Sequence, residues 1–160
     1  MRRKAKHWRP SHRAFGAVSR GIAGSLRRGR KALRRATKRR RADDFHRWRK
    51  ELKSLWYDLR LLESAAPRIA RDVRTLHKAE TLLGDDHNVV ILCTALSDDG
   101  TFASGPLVRR IKAAADEYHS DARRKAVAAA RHIYTRKPRR YMRDLKRAWK
   151  NWRHGVTARS

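Results

Sequence analysis

Apolar residues recur every three or four positions along most of this chain, and the clearest run lies between residues 43 and 65. On a helix drawn at about 100° per residue, one sector there is apolar: Phe45, Trp48, Leu52, Leu55, Trp56, Leu59 and Leu62. The opposite sector carries a cationic stripe: His46, Arg49, Lys50, Lys53, Tyr57 and Arg60. Strand-like alternation persists nowhere in the sequence, so the spacing predicts an all-α fold.

Two further segments repeat this separation of faces. Between residues 13 and 40 the apolar face is Phe15, Val18, Ile22, Leu26 and Leu33, and the cationic face is Arg20, Arg27, Arg30, Lys31, Arg34 and Lys38. After Pro138 the apolar face is Tyr141, Leu145, Trp149 and Trp152, and the cationic face is Arg139, Arg143, Lys146, Lys150 and Arg153. None of the three cationic faces contains an acid, since Glu51 and Asp58 fall on the flank of the second.

Cap and break signals divide the chain into about six helices. Asp43 and Asp44 suggest an N-cap and an acidic first turn, and Gly84 suggests a helix end before a new start at Asp85. The predicted helices span residues 13–40, 43–65, 67–84, 85–96, 107–135 and 138–155. We therefore predict one helical domain over residues 13–155, a basic flexible lead-in over 1–12 and a tail over 156–160.

The charge balance sets the class of partner. The 160 residues hold 43 Lys plus Arg against 15 Asp plus Glu, a formal net charge of +28. Residues 1–41 carry +17, residues 42–134 carry +2 and residues 135–160 carry +9. A compact state repels itself at this charge, so we expect it to be held with a polyanion.

The acid-free stripes favour a binding role over an ordinary solvated face. A charged face opposite an apolar one occurs on any surface helix, but such faces usually mix signs, because like charges four residues apart cost a few tenths of a kcal/mol. Rows of cations suit a linear chain of phosphates, and the aromatic residues lie mainly on the apolar faces rather than forming base-stacking platforms. A nucleic-acid-associated protein remains the alternative, as does a truncated regulatory remnant that needs a partner chain.

The sequence gives little support for catalysis or metal binding. It lacks the HExxH, Walker A and GxSxG motifs, so we predict no enzymatic activity and no cofactor. A metal site from His77, Asp85, Asp86 and His87 is a weak alternative, and the cations that follow His46 disfavour one there. The lone Cys93 is predicted to be a small buried hydrophobe. One cysteine allows no internal disulfide, which favours the cytoplasm, and no segment is apolar enough to span a membrane.

Three motifs in order resemble the CHAD family of helical domains. Residues 45–53 read FHRWRKELK, residues 82–92 read LLGDDHNVVIL, and the C-terminal part contains Tyr134, Lys137-Pro138 and Trp149. The resemblance covers about residues 15–153. It implies binding of inorganic polyphosphate, with His46, Arg49, Lys50 and Lys53 as anion ligands. It also places Arg27, Arg30, Lys31 and Arg34 on the preceding basic helix, facing the same cavity.

The chain departs from the family pattern in two ways. The family has two pseudo-repeated bundles around a basic cavity, whereas this chain resembles mainly the C-terminal repeat, half of such an architecture. Asn88 stands where the family usually has Asp. The ExExK motif of the triphosphate tunnel enzymes that accompany some members is absent, so hydrolysis is not implied. A half-domain would be completed by an anion-dependent homodimer, and polyphosphate binding would place the protein at cytoplasmic polyphosphate granules.

Overall fold

The structure, a computed structural model, describes residues 12–98 and 105–157, and within them it is helical without strands. This confirms the all-α prediction. The described elements are α1 (His12–Arg39), α2 (Ala42–Arg60), a 3-10 turn (Glu63–Ala65), α3 (Pro67–Asp98), α4 (Pro106–Thr135) and α5 (Pro138–Thr157). None of the described helices is long and apolar enough to cross a membrane. Most of the predicted lead-in, residues 1–11, lies outside the described residues.

The prediction of about six helices is wrong at Gly84. The helices predicted over 67–84 and 85–96 form the single helix α3, which continues through Gly84 to Asp98. A glycine costs about 1 kcal/mol in a helix interior but does not end a helix, and packing on both flanks of α3 outweighs that cost. At the other end of the chain, α5 extends two residues beyond the predicted boundary at residue 155.

The start of α2 differs from the prediction in its cap. Arg41 is the N-cap residue, and no side chain caps the helix. Asp43 and Asp44 instead occupy the first turn, where carboxylates favour the positive end of the helix dipole. Arg40, just after α1, has a φ of 57°, a left-handed conformation that favours glycine. The segment predicted as 43–65 is helical only to Arg60 and resumes as the 3-10 turn.

The core forms where the predicted apolar faces meet. Helix α2 packs between α1 and α3, α4 packs on α3, and α5 lies against α1 and the 3-10 turn. Trp48 is fully buried at the centre, and its ring meets Tyr134 of α4 edge-on at 6.4 Å. Asp72 of α3 accepts a hydrogen bond from the buried Tyr141 hydroxyl at 3.0 Å, which ties α5 to the bundle. Burial and the neighbouring Asp72 raise the pKa of Tyr141, so it remains a neutral donor.

The outer ends of α3 and α4 project beyond this core as a two-helix arm (residues 88–98 and 106–118). Three apolar side chains there are more than half exposed: Ile91 55%, Leu92 52% and Leu107 67%. Cys93, predicted to be buried, is half-buried. The start of α2 lies level with His87, so no third helix among the described residues covers the arm. The predicted half-domain relation to a two-bundle architecture stays a prediction.

The close approach of α1 to α4 generates a stability prediction. A Cβ on Gly29 would lie 2.7 Å from the Cε1 and hydroxyl atoms of the buried Tyr134. We expect Gly29→Ala to lower the free energy of unfolding by about 1–3 kcal/mol, because overpacking outweighs a helix-propensity gain of up to about 1 kcal/mol. Gly21→Ala is the matched control in the same helix, since its Cβ would meet Asp58 at an ordinary 3.6 Å. Urea unfolding would contradict the prediction if both variants gained stability.

Candidate polyanion-binding surface

The cationic stripe of α2 lies beside α3. The ring of His46 packs on that of His87 with centroids 4.1 Å apart, and Trp56 stacks on His77 at 4.6 Å with nearly parallel planes. Between these pairs, Nη2 of Arg49 lies 2.9 Å from Oε1 of Glu80. The stripe and the facing surface of α3 thus form one continuous face, which we call the α2–α3 face. It comprises His46, Arg49, Lys50, Lys53, Tyr57 and Arg60 of α2 with Arg74, His77, Thr81, Gly84 and His87 of α3.

Gly84 has a packing role on this face that the sequence pattern did not reveal. A Cβ there would lie 3.2 Å from Nη2 and 3.4 Å from Nε of Arg49. The missing side chain therefore lets the Arg49 guanidinium lie against α3 and reach Glu80. The pairing covers the carboxylate of Glu80, which is 10% exposed, with a cation.

The remaining cations of the face lack acidic partners. Among the described residues, Lys50, Lys53 and Arg74 form no ion pair; Lys53 Nζ instead lies 6.0 Å from the ring centroid of Tyr57. Arg60 lies over the ring of Trp56 at 5.2 Å, which leaves Trp56 between Arg60 and His77. Tyr57, 49% exposed, is the aromatic side chain of the face most open to solvent. The result is a surface of positive charges with few open stacking platforms.

His46 is held neutral within this cationic setting. Burial lowers its pKa from the ordinary 6.5, and the neighbouring His87, Lys50 and Arg49 lower it further, while Asp43 opposes them. Its Nδ1 atom is buried and has no hydrogen-bond partner in the described structure. An anion bound beside the ring would supply the opposite charge that this site lacks, and it would favour protonation.

The stripe of α1 is exposed but lies across a seam of acids from the α2 stripe. Arg20, Arg27, Lys31, Arg34 and Lys38 are all exposed. Between the two helices, Asp44 pairs with Arg35 at 2.6 Å, Glu51 pairs with Arg28 at 2.8 Å, and Asp58 accepts a hydrogen bond from Ser25 at 2.8 Å. The two stripes therefore flank an ion-paired seam instead of lining one closed cavity.

Arg30, a predicted site residue on α1, contacts the backbone of another helix. Its Nε donates to the carbonyl of Tyr134 at 2.7 Å, and its Nη2 donates to that of Arg136. These carbonyls lie at the C-terminal end of α4, where helical acceptors lack intrahelical donors. Arg30 is thus engaged in capping α4, which the helical spacing of the sequence could not indicate.

The stripe of α5 is brought beside the first half of α1. Phe15 packs on Trp149 with centroids 5.7 Å apart, and this contact seats α5 on α1. Arg143 and Lys146 then line a cavity of about 530 Å³ together with Ser19 of α1. Arg139 lies near the start of α5 and is exposed. Apart from Arg30, the predicted site residues therefore lie either on the α2–α3 face or on α1 and α5, whose cationic sides we call the α1–α5 face.

A buried polar cluster on the other flank of α3 escaped the sequence patterns. Asp86, 3% exposed, accepts hydrogen bonds from Nε of Arg123 at 2.9 Å and lies 2.7 Å from Nδ1 of His119, both on α4. His77 and His87 face α2 instead, so the four residues weighed as a metal site point to opposite flanks of α3. The described residues contain no group of three or more His, Cys, Asp and Glu placed to hold a metal.

With this geometry in place, the comparison with known families is decisive. A family model described as the CHAD domain matches residues 1–97. The chain belongs to the CHAD family. The match spans α1, α2 and almost all of α3, so it includes the α2–α3 face and the α1 stripe, while Arg139, Arg143 and Lys146 lie outside it. Neither the curated proteins nor the solved structures contain a match to the chain.

The CHAD family is associated with one kind of ligand. The CHAD domain is known as a polyphosphate-binding domain and is generally a binding domain rather than a catalytic one. The sequence motifs around His46 and Gly84, which carried the resemblance, lie on facing turns of α2 and α3 in this CHAD chain. The two motifs lie almost forty residues apart in the sequence but are in direct contact in the structure.

The lowered pKa of His46 predicts a pH dependence of stability. The unfolded chain takes up this proton near pH 6.5, whereas the folded chain takes it up only at lower pH. Stability should therefore fall as the pH drops from about 6.5 through the folded-state pKa, and be unaffected by this group above pH 6.5. Urea unfolding without polyanion at pH 7.5 and 5.5 should show a smaller loss for His46→Gln than for the wild type. If the wild type and His46→Gln lost the same free energy of unfolding between pH 7.5 and 5.5, His46 would not be the group responsible.

Proposed function

We propose that this CHAD chain binds inorganic polyphosphate on the α2–α3 face, without hydrolysing it. The observation that carries the proposal is the pair of unpaired cations Lys50 and Lys53 beside the partly buried His46 and His87. The carboxylate between the two helices, Glu80, is already covered by Arg49. The face therefore presents positive charge and hydrogen-bond donors that other described residues do not neutralise.

The chemistry of the face favours a phosphate chain over a nucleic acid. Lysine acts as a compact point charge that contacts phosphate oxygens from any direction, and it does not read a base edge bidentately. Single-stranded nucleic acids usually add stacking on exposed aromatic rings. Trp56 is covered here by Arg60 and His77, which leaves Tyr57 as the open ring. A polymer of phosphates uses all of the cations and needs no platform.

The α1–α5 face would serve as an extension for longer chains. Arg20 directly follows Ser19, which lines the cavity with Arg143 and Lys146 of α5. Further cations continue along α1 away from the cavity: Arg27, Lys31, Arg34 and Lys38. A polyphosphate that fills the α2–α3 face would have to cross the seam that contains Glu51 and Asp58 to reach it. We propose that the first face sets the affinity for short chains and that the second adds affinity as chain length grows. Such a protein would associate with polyphosphate granules in the cytoplasm.

Charge reversal tests the location of the site. We expect Lys50→Glu and Lys53→Glu each to weaken binding of a short polyphosphate by about tenfold or more, as charged hydrogen bonds contribute about 1.5–3 kcal/mol. Arg110→Glu, an equal charge change on the exposed surface of α4, is the matched control and should have a much smaller effect. Fluorescence titrations at fixed salt measure all three. Equal losses in the three variants would mean that net charge alone drives binding.

Competition with duplex DNA at the same salt concentration separates the two polyanions. Nucleic-acid binding should depend on the whole cationic surface, and its affinity should fall steeply with salt. Displacement of bound short-chain polyphosphate by DNA at comparable phosphate concentration would contradict the proposed preference.

We further propose that the bound anion promotes pairing of two copies through the α3–α4 arm. Leu92 and Leu107 are exposed there, and residues 79–108 contain no Lys or Arg. The α3 side of the arm, away from Arg109, Arg110 and Lys112 on α4, is therefore where two strongly cationic copies repel each other least. A two-fold pair would use the same surface on both copies.

Sedimentation velocity tests this pairing. We expect a monomer without ligand and a dimer with a polyphosphate just long enough for one α2–α3 face, because neutralising that face lowers the repulsion between copies. Leu92→Glu should keep the liganded protein monomeric without weakening its binding of the short chain. A monomeric wild-type complex at full occupancy would contradict the pairing and leave the binding proposal intact.

A further inference from the structure

We infer that the protein has a second, separate ligand site, a nucleotide-binding cavity between the C-terminal half of α1 and the middle of α4. The cavity has a volume of about 650 Å³, within the range of small-molecule sites. Its apolar lining residues are Phe45, Val127 and Ala128, and four arginines line it as well: Arg40, Arg123, Arg124 and Arg131. The inference goes beyond polyphosphate binding, because these residues are not part of the α2–α3 face.

A buried carboxylate holds the working groups of this cavity in place. Asp86 accepts from Nε of Arg123 at 2.9 and 3.1 Å through its two oxygens, and one of them also lies 2.7 Å from Nδ1 of His119. The Arg123 guanidinium lies over the ring of Phe45, with its carbon 5.0 Å from the ring centroid. Asp86 uses Nε of Arg123 and Nδ1 of His119, so the terminal guanidinium nitrogens and Nε2 are not taken up by it. Such preorganisation lowers the entropy cost of binding a ligand.

Two of the other lining arginines are not neutralised by the protein, whereas Arg124 is paired with Asp121. Arg40 and Arg131 are exposed and have no ion-pair partner among the described residues. Arg40 also has the left-handed φ of 57° at a position after a helix where glycine is the usual residue. The chain thus carries an arginine at the mouth of the cavity in a conformation that an arginine side chain disfavours.

The combination of groups identifies the ligand class. An inorganic phosphate chain would use the arginines but would gain nothing from contact with Phe45, Val127 and Ala128. A purely apolar ligand would leave several guanidinium groups desolvated beside it. A nucleotide satisfies both requirements, because its phosphates pair with guanidinium groups and its flat base packs on the apolar lining residues.

The order of polar residues along α4 fits an elongated ligand of this kind. Asp116 and Ser120 line the cavity towards the start of the helix, and Arg124 and Arg131 line it further along. At 1.5 Å per residue, Asp116 precedes Arg124 by about 12 Å and Arg131 by about 22 Å. Asp116 is an acceptor suited to ribose hydroxyls or a base amino group, at the end away from Arg131. We therefore assign a nucleoside triphosphate, with its phosphates towards Arg131.

The test compares ATP, inorganic tripolyphosphate and adenosine as ligands of the full chain carrying Lys50→Glu and Lys53→Glu, at one salt concentration, because tripolyphosphate would otherwise also bind the α2–α3 face. Tripolyphosphate carries as many phosphates as ATP and is more highly charged for its size, so a merely cationic surface would bind it at least as tightly. We expect ATP to bind about tenfold more tightly than either of the other two in calorimetric titrations. If tripolyphosphate matched ATP, the apolar lining residues would have no role; if adenosine matched ATP, the arginines would have none. Either result would overturn the assignment.

Variants locate the binding in the cavity. Ala128→Phe, which fills the apolar part of the cavity from an exposed helical position, should remove the preference for ATP over tripolyphosphate, and Arg131→Gln should weaken ATP binding by about tenfold. In the same background, Arg110→Gln, on the same helix outside the cavity, should leave the preference for ATP unchanged. Failure of the Lys50→Glu/Lys53→Glu protein to bind ATP that the wild type binds would place ATP on the α2–α3 face and overturn the second site.

Arg40→Gly separates binding from folding. Glycine relieves the left-handed backbone, so this variant should melt at a higher temperature than the wild type while it binds ATP several-fold more weakly. A variant that is more stable and retains full ATP affinity would remove Arg40 from the site. Retention of full affinity by both Arg40→Gly and Arg131→Gln would overturn the proposal as a whole.

Discussion

Four of the five described α-helices carry an excess of positive charge, and carboxylates lie at the contacts that α2 makes with α1 and that α3 makes with its neighbours. Asp44, Glu51 and Asp58 recur every seven residues along α2 and face α1, where they meet Arg35, Arg28 and Ser25. The same arrangement holds on α3, whose acids contact partners on neighbouring helices: Asp72, Glu80 and Asp86. A buried carboxylate without its partner would destabilise the fold. Each of these contacts therefore determines which helix faces pack together, in addition to stabilising that packing.

The position of the carboxylates between the helices determines which lysines and arginines are left unpaired. Once the carboxylates are placed in the seams, Lys50, Lys53 and Arg74 are left without an ion-pair partner among the described residues. Lys50 and Lys53 are unpaired for the same reason that Arg28 and Arg35 are paired: the first two lie about half a turn away from the acids of the α1–α2 seam. The proposed binding surface is therefore a consequence of how the fold neutralises itself. The residual repulsion would be the energetic reason for a polyanion to stabilise the folded chain.

The sequence predicted the faces of the helices well and the relations between helices poorly. Periodicity identified the buried side of α2, from Phe45 to Leu62, because burial of one sector is a local property of a helix. Gly84 was read as a helix end, since local propensity does not register that Arg49 from another helix needs the space. Arg30 looked equivalent to Lys31 in the stripe, but its position puts it within reach of carbonyls more than a hundred residues later. The roles of Gly84 and Arg30 depend on which helix packs beside each of them. No short sequence pattern specifies that neighbour.

Helix α3 shows how neighbouring residues come to serve separate surfaces. Successive residues on a helix differ by about 100° in direction, so Asp86 and His87 point to opposite flanks. His87 meets His46 on the α2 side, and Asp86 holds His119 and Arg123 on the α4 side. A one-residue shift in the register of α3 would exchange the two flanks and place a carboxylate among the cations of the α2–α3 face. The acidic pair after Gly84 thus requires α3 to run without interruption, because a helix end at Gly84 would free the chain to rotate. Continuity of α3 through an unfavourable glycine keeps the carboxylate of Asp86 away from the proposed polyanion-binding face and beside the cavity on the α4 side.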